Sequence, residues 1–167
     1  AIAIALAKEG AEVVINYNGS EERAKEVKQT IEENGGKASI YKCNVSDFAA
    51  CEAMIKDIVK EYGHLDILVN NAGVSDSTPL DKYTSEQFAN IMQLNVNSIM
   101  NGILPTVKIM KEQGYGCILN TSSMVSLCGQ RSGIGYPTSK SAVNGLTWSL
   151  ARELGPFNIR VNAVAPG

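Results

Sequence analysis

Hydrophobic and polar positions along the chain come in blocks, and the blocks switch period. AIAIALAKEG has the spacing of a helix and runs into Gly10, a residue suited to ending one. EVVINY is a β-branched run of strand length, and the charged, helix-period segment SEERAKEVKQTIEENGG follows it. KASIYKCNV reads as a second strand. Ser46 and Asp47 then offer caps to a helix through CEAMIKDIVKEYG. LDILVNNAG is a nearly continuous apolar strand with a glycine at its end. Beyond it the pattern predicts a long helix over 85–112 and a strand at GCILNTSS. A helix over 136–155, closed by Gly155-Pro156, and a last strand in NIRVNAVAPG complete it.

Strands that are apolar throughout, alternating with amphipathic helices, imply an α/β fold with a parallel sheet covered on both faces. No repeat, low-complexity tract or linker interrupts the alternation, so residues 1–167 read as a single doubly wound domain. Such sheets bind ligands beyond the carboxyl ends of their strands. Unusual polar groups gather there: Asn44-Val45 after the second strand, Asn70-Asn71-Ala72-Gly73 after the third, Thr121-Ser122-Ser123 after the fourth and Pro166-Gly167 after the fifth. Asn95 and Asn97 lie inside the long predicted helix, where asparagine is a poor helix former. Tyr136 and Lys140 stand one turn apart at the start of the next one.

Composition narrows the classes. The 167 residues allow one domain with a real core, and 44% hydrophobic with 19% charged is ordinary for a globular protein. A net charge of -2 carries no footprint of nucleic-acid or membrane binding, and no apolar run is long enough to span a bilayer. The first ten residues lack a basic leader, so they read as a helix and not as a signal peptide. Cys43, Cys51, Cys117 and Cys128 have no ligand-like spacing with the single histidine, His64. They read as buried thiols in a reducing cytoplasm, with no metal expected; His64 reads as a solvated turn residue.

Taken singly, each strand-end residue has a plain structural explanation. Taken together, N-N-A-G, a helical Asn95, Ser123 thirteen residues before Tyr136-x-x-x-Lys140, and Pro166-Gly167 after the next strand resemble the short-chain dehydrogenase/reductase family in order along the whole chain. The resemblance implies a Rossmann-type sheet and a catalytic set of Asn95, Ser123, Tyr136 and Lys140. It also implies a missing first strand with its glycine-rich loop before Ala1, and a missing substrate region after Gly167.

The chemistry accounts for those residue types. A carbonyl that accepts hydride needs a proton on its oxygen, and the reverse reaction needs a base for the hydroxyl. A phenol can serve both ways, but its ordinary pKa of about 10 is too high for a base at neutral pH. An ammonium one helical turn away favours the phenolate. Ser123 can hold the substrate oxygen against Tyr136. Asn95 would break helical regularity to hold a water that links Lys140 to solvent.

By the same resemblance, Asn44, Val45, Asn71, Ala72 and Gly73 line the adenine side of a dinucleotide, and Pro166 and Gly167 lie near its nicotinamide. Lys140 would also bind the nicotinamide ribose beside Tyr136. The tip of the first strand, Ile15-Asn16-Tyr17-Asn18, carries no carboxylate to bind a ribose 2′-hydroxyl or repel a 2′-phosphate. Tyr17 in the selector place points to NADP, with NAD as the other option.

Within the family the motifs are similar to 3-oxoacyl-[acyl-carrier-protein] reductases and to bacterial hydroxysteroid dehydrogenases, so the expected substrate is a small-molecule ketone or secondary alcohol. Ser132-Gly133-Ile134-Gly135-Tyr136-Pro137 resembles the stretch before the tyrosine in bile-acid 3-hydroxysteroid dehydrogenases. Where the reductases place basic residues near the site mouth, this chain has Gln113-Gly114 and Phe157. The apolar Met92, Ile99, Met100, Ile103, Leu146, Trp148 and Leu150 exceed what one buried face of each helix requires. Together with the resemblance, they imply a homo-oligomer, a dimer or tetramer built by helix pairing. The alternative is a catalytically silent dinucleotide-binding or scaffold protein on the same fold.

Overall fold

A computed structural model describes residues 1–167, which form two compact units, Ala1–Asn44 and Val45–Gly167. In the first, helix α1 (Ile2–Lys8) ends just before Gly10, whose φ of 93° suits a residue without a Cβ. Strand β1 (Glu12–Tyr17), helix α2 (Glu21–Glu33) and strand β2 (Lys37–Lys42) follow. The strands pair in parallel, from Glu12 opposite Lys37 to Tyr17 opposite Lys42. Helix α2 buries Ala24 and Ile31, while Lys25 on its outer face bridges Glu21 at 2.9 Å and Glu22 at 3.0 Å. Pairs so exposed contribute little, so burial of the apolar face holds the helix.

The second unit opens with α3 (Phe48–Tyr62), whose N-cap Asp47 accepts the Ala50 N–H at 3.2 Å and whose end is closed by left-handed Gly63. Strand β3 (Ile67–Asn70) leads through a loop to α4 (Ser85–Met92). There Thr84 and Gln87 cap each other reciprocally, the Gln87 N–H on Thr84 Oγ1 and the Thr84 N–H on Gln87 Oε1. Helix α5 (Ser98–Gln113), β4 (Gly116–Thr121), the short α6 (Val125–Cys128), α7 (Gly135–Leu154) and β5 (Ile159–Val164) complete the unit.

Strands β3, β4 and β5 form a parallel sheet with β4 in the centre, Ile67 opposite Cys117 and Gly116 opposite Ile159. The core lies between this sheet and the two long helices, built on Ile103, Met110, Ile118, Val143, Leu154 and Ile159. Ile118 and Val143 have no exposed surface at all. Burying one such side chain is worth about 1.5–3 kcal/mol. Helix α7 buries Gly135, Ser139, Val143 and Thr147 at four-residue intervals, and these small side chains let it approach the sheet closely.

The α/β class with parallel pairing is as expected: β1 and β2 pair within the first unit, and β3, β4 and β5 within the second. Two expectations change, one at a helix and one at a thiol. The helix over 85–112 is interrupted, since Gln93–Asn97 is a π-helical turn between α4 and α5. Its cause is visible at the centre: Asn95, 1% exposed, has its carboxamide engaged away from its own helix. Of the thiols, Cys43 and Cys51 are buried, but Cys128 on α6 is exposed. His64 stands on an exposed turn with Nδ1 2.9 Å from Asp66. No helix is long and apolar enough to cross a membrane.

Candidate active site

The carboxyl ends of β3 and β4 bring asparagines side by side. Asn70 and Asn120 are opposite in the strand register, and Asn70 Nδ2 donates to Asn120 Oδ1 at 2.9 Å. Asn120, fully buried, passes its own N–H to Thr147 Oγ1 on α7 at 3.0 Å, and Thr147 donates to the Val143 carbonyl at 2.7 Å. A buried amide without partners costs about 1–3 kcal/mol, so this ladder tolerates polar groups only because each one is satisfied. It ties β3, β4 and α7 together directly under the strand ends. Gly102 makes room for it, since a Cβ there would lie 3.2 Å from Asn70 Oδ1.

Above the ladder sits Lys140, 4% exposed on the first turns of α7. Its Nζ donates to the Thr121 carbonyl at the end of β4, 2.6 Å away, and its own carbonyl accepts from Ser122 Oγ at 3.2 Å. Burial pushes its ammonium below the ordinary lysine range. The same Nζ lies 5.7 Å from the centre of the half-buried Tyr136 ring, inside cation–π range. The Tyr136 hydroxyl has no hydrogen-bond partner in the protein.

Asn95 is a clamp. Its Oδ1 accepts the Val74 N–H at 2.8 Å, and its Nδ2 donates to the Val74 carbonyl at 2.8 Å and to Ser139 Oγ at 2.9 Å. Ser139 in turn donates to the Tyr136 carbonyl at 2.7 Å. Both amide hydrogens therefore go to protein acceptors, and the side chain joins the loop after β3 to the first turn of α7. Gly73 lies alongside: a Cβ there would come 3.0 Å from Asn95 Oδ1 and 3.6 Å from Lys140 Nζ. Ser123 Oγ is 3.4 Å from both the Pro166 carbonyl and the Val125 N–H, and Pro166 also accepts the Met124 N–H at 2.9 Å. Long contacts of this kind leave the Ser123 hydroxyl weakly committed.

Other expected site residues fall as follows. Asn71 accepts from Thr121 Oγ1 at 3.3 Å, and the Val45 carbonyl accepts from Asn101 Nδ2 at 3.0 Å. Ala72 and Gly167 are exposed, as is Asn44, which belongs to the first unit. In that unit the Tyr17 hydroxyl at the tip of β1 meets the Glu21 carboxylate; burial first, then Glu21, push the phenol above its ordinary value. The tip therefore does have a carboxylate near it, one supplied by the next helix and already paired with Lys25. Gln113, Gly114 and Phe157 all precede strands, so in this unit they stand at the opposite end of the sheet from Ser123, which follows one.

The sequence pattern did not disclose Ser139, Asn120 or Thr147. The one trace of Ser139 and Thr147 is the run of small residues at four-residue spacing on α7, Gly135, Ser139, Val143 and Thr147; Asn120 on β4 leaves none.

The family model described as short chain dehydrogenase matches residues 1–167. The chain is 60% identical over 124 residues to a 3alpha-hydroxysteroid dehydrogenase of Mediterraneibacter gnavus, covering 74% of this chain and 50% of that relative. It therefore spans half the length of that protein. It is 39% identical over 166 residues to the 3-oxoacyl-[acyl-carrier-protein] reductase FabG of Staphylococcus aureus, covering 99% and 68%. Among solved structures, NAD+-bound xylitol dehydrogenase is similar at a TM-score of 0.94 and 34% identity, over 99% of this chain and 64% of that one. A dehydrogenase/reductase of Sinorhizobium meliloti 1021 is similar at a TM-score of 0.93 and 38% identity, over 99% and 66%.

Proposed function

The chain belongs to the short-chain dehydrogenase family, and from that premise we propose that it serves an NAD(P)-dependent oxidoreductase acting on a ketone or secondary alcohol. The observation that carries the reading is the buried Lys140 ammonium beside the Tyr136 ring. A buried ammonium with no carboxylate partner is costly, and a fold keeps one where its charge has work to do.

Gly73 bears on whether a nicotinamide ribose fits, because the missing side chain leaves Lys140 Nζ approachable. Lys140 would hold the ribose hydroxyls, with Val45, Asn71, Ala72 and Gly73 on the adenine side and Pro166 and Gly167 near the nicotinamide. In the first unit, Tyr17 and Asn44 are the proposed contributors. When bound, the dinucleotide supplies or accepts the hydride.

The protein groups handle the proton. In the reducing direction the Tyr136 hydroxyl gives its proton to the carbonyl oxygen as the carbon gains hydride, leaving a phenolate and an alcohol. Lys140 steadies that phenolate; burial loosens its hold on its own proton and so eases reprotonation of Tyr136. Ser123, weakly committed within the protein, turns its hydroxyl to the substrate oxygen. Asn95 fixes the geometry through Val74 and Ser139.

The coenzyme proposed is NADP, with NAD accepted less well. Glu21 is paired with Lys25, so the tip of β1 offers a 2′-phosphate no uncompensated anion. A steroid ketone is favoured as substrate over a 3-oxoacyl thioester, on the 60% identity to the hydroxysteroid dehydrogenase. Residues 1–167 are proposed to act as one dinucleotide-binding domain in the cytoplasm. Exposed Trp148 and Leu104 on α7 and α5 favour a homo-oligomer; Ile99 and Ile103, offered by the sequence for that role, are in the core.

The test mixes the natural polypeptide carrying these residues with NADPH or NADH and a panel of oxosteroids and 3-oxoacyl thioesters, following absorbance of the reduced nicotinamide. Oxidation of NADPH with an oxosteroid is the expected result. Dinucleotide binding with no turnover on any ketone would return the silent scaffold.

A further inference from the structure

The loop between β3 and α4 and the segment before α7 are fastened together at several points, none of which touches the Lys140–Tyr136 pair itself. Tyr83 Oη donates to Asp76 Oδ2 at 2.7 Å. The backbone amide of Gly135 lies against the same hydroxyl, and a Cβ at Gly135 would collide with it. Gln130 Nε2 draws in three carbonyls, Asp76 at 3.0 Å, Ser132 at 2.5 Å and Gly133 at 2.6 Å. The Gly133 N–H donates to the Thr78 carbonyl at 3.0 Å. Gly133 holds a φ of 80° and has Asp76 pressed so close that any Cβ would strike it.

The chain of contacts ends at one place. Gly135 is the residue before Tyr136, and Asn95 already grips the same loop at Val74 and the same helix turn at Ser139. One oxygen of Asp76 is buried with no partner, a cost retained beside the Tyr83 contact.

We propose that Tyr83 and Asp76 are a positioning pair, holding the loop after β3 as a template that sets the first turn of α7 and thereby the Tyr136 hydroxyl. This rests on the reading of Tyr136 as the proton donor. Burial first, then Asp76, push the Tyr83 phenol above its ordinary value, so it remains a protonated donor across the working range. Neither residue meets the substrate or the reacting atoms.

The experiment uses the natural polypeptide with Tyr83→Phe, Asp76→Ala, Asp76→Asn and the double variant Tyr83→Phe/Asp76→Ala. A misplacement of the reacting group by about 1 Å can cost up to ~100-fold, so Tyr83→Phe is expected to lower kcat about 10- to 100-fold. KM for the ketone and Kd for NADPH should stay within about twofold, a split that lost folding would not produce. Asp76→Asn, which keeps an acceptor for Tyr83, should retain most of the activity that Asp76→Ala loses. The double variant should match the worse single one, since one contact is removed twice.

Full kcat in a folded Tyr83→Phe protein, or multiplying losses in the double variant, would overturn the pairing. Hydrogen exchange at the amides of residues 135–140 keeps the question open to test if no ketone is turned over. Faster exchange in Tyr83→Phe supports the fastening, and unchanged exchange overturns it, whatever becomes of the proposed activity.

Discussion

At the amino ends of β3 and β4, the Gln113 carboxamide completes the backbone of Leu65, accepting its N–H at 2.8 Å and donating to its carbonyl at 3.1 Å. Nearby His64 meets Asp66, and Lys111 covers the Phe157 ring at 4.1 Å. At the carboxyl ends of the same strands, Asn70, Asn120 and Thr147 form a chain, Asn95 and Lys140 bind backbone atoms of other segments, and Ser139 accepts from Asn95. The residue types hardly differ between the two ends. The surroundings do: the first set is exposed or half-buried and made of separate pairs, while Asn95, Asn120, Ser139 and Lys140 are buried and shared among elements.

The contrast teaches how to tell polar groups that finish a surface from those that join buried elements. In water an amide loses little by losing a partner. In the interior it loses the whole desolvation cost, and evolution keeps such groups only with complete satisfaction or with a function.

The sharpest way to test the contrast is at Tyr136. Its hydroxyl has no protein partner, so Tyr136→Phe should leave folding and dinucleotide binding intact. Turnover should fall by about 10²–10⁴-fold, the usual contribution of a general acid–base group. Retention of more than a tenth of the activity would show that the carboxyl end is structural like the other.

Much of this arrangement was legible beforehand. All five strands and the main helices lie where period and caps put them, because each such signal is local: apolar alternation, Asp47 before α3, glycines after helices. The π turn at Gln93–Asn97 was visible only as two awkward asparagines in a helical stretch. What period cannot carry is which side chain meets which across dozens of residues. Asn70 with Asn120, Asn95 with Ser139, and Tyr83 through Asp76 to Gly135 are set by the packing of whole elements. Likewise the Glu21 carboxylate reaches the tip of β1 from the next helix, where a reading of the strand alone finds none.

A smaller effect, in stability, is expected at Lys140. Burial lowers its folded pKa below the unfolded value of about 10.4, so between the two the unfolded chain binds more protons. Stability from this group is therefore lowest at and below its folded pKa and rises as pH climbs to about 10. Urea midpoints of wild type and Lys140→Met, compared at pH 7 and near pH 10, should show wild type gaining on the variant at the higher pH. Turnover should be largely lost in the variant at both. A gap that stays constant with pH would mean the ammonium is not desolvated.

The least effect is expected at the other end. Gln113→Ala removes three hydrogen bonds that water can replace, so a loss of about 1 kcal/mol or less in stability should come with unchanged kcat and KM. A fall in kcat beyond twofold would show that the two ends are coupled, and the distinction between them would then fail.

The π turn also fixes a phase. Each residue of an α-helix advances the side chain by about 100°, so a turn containing one extra residue offsets α4 from α5 by that angle. Deleting a single residue between Gln93 and Asn97 would let the helix run on without a break while Ile103 and Met110 kept their places in the core. Asn95 or its replacement would then face another direction, and Val74 and Ser139 would lose their common partner. One codon thus separates a clamped turn from an unbroken helix, and the same deletion would swing the buried Ile91 of α4 away from its place.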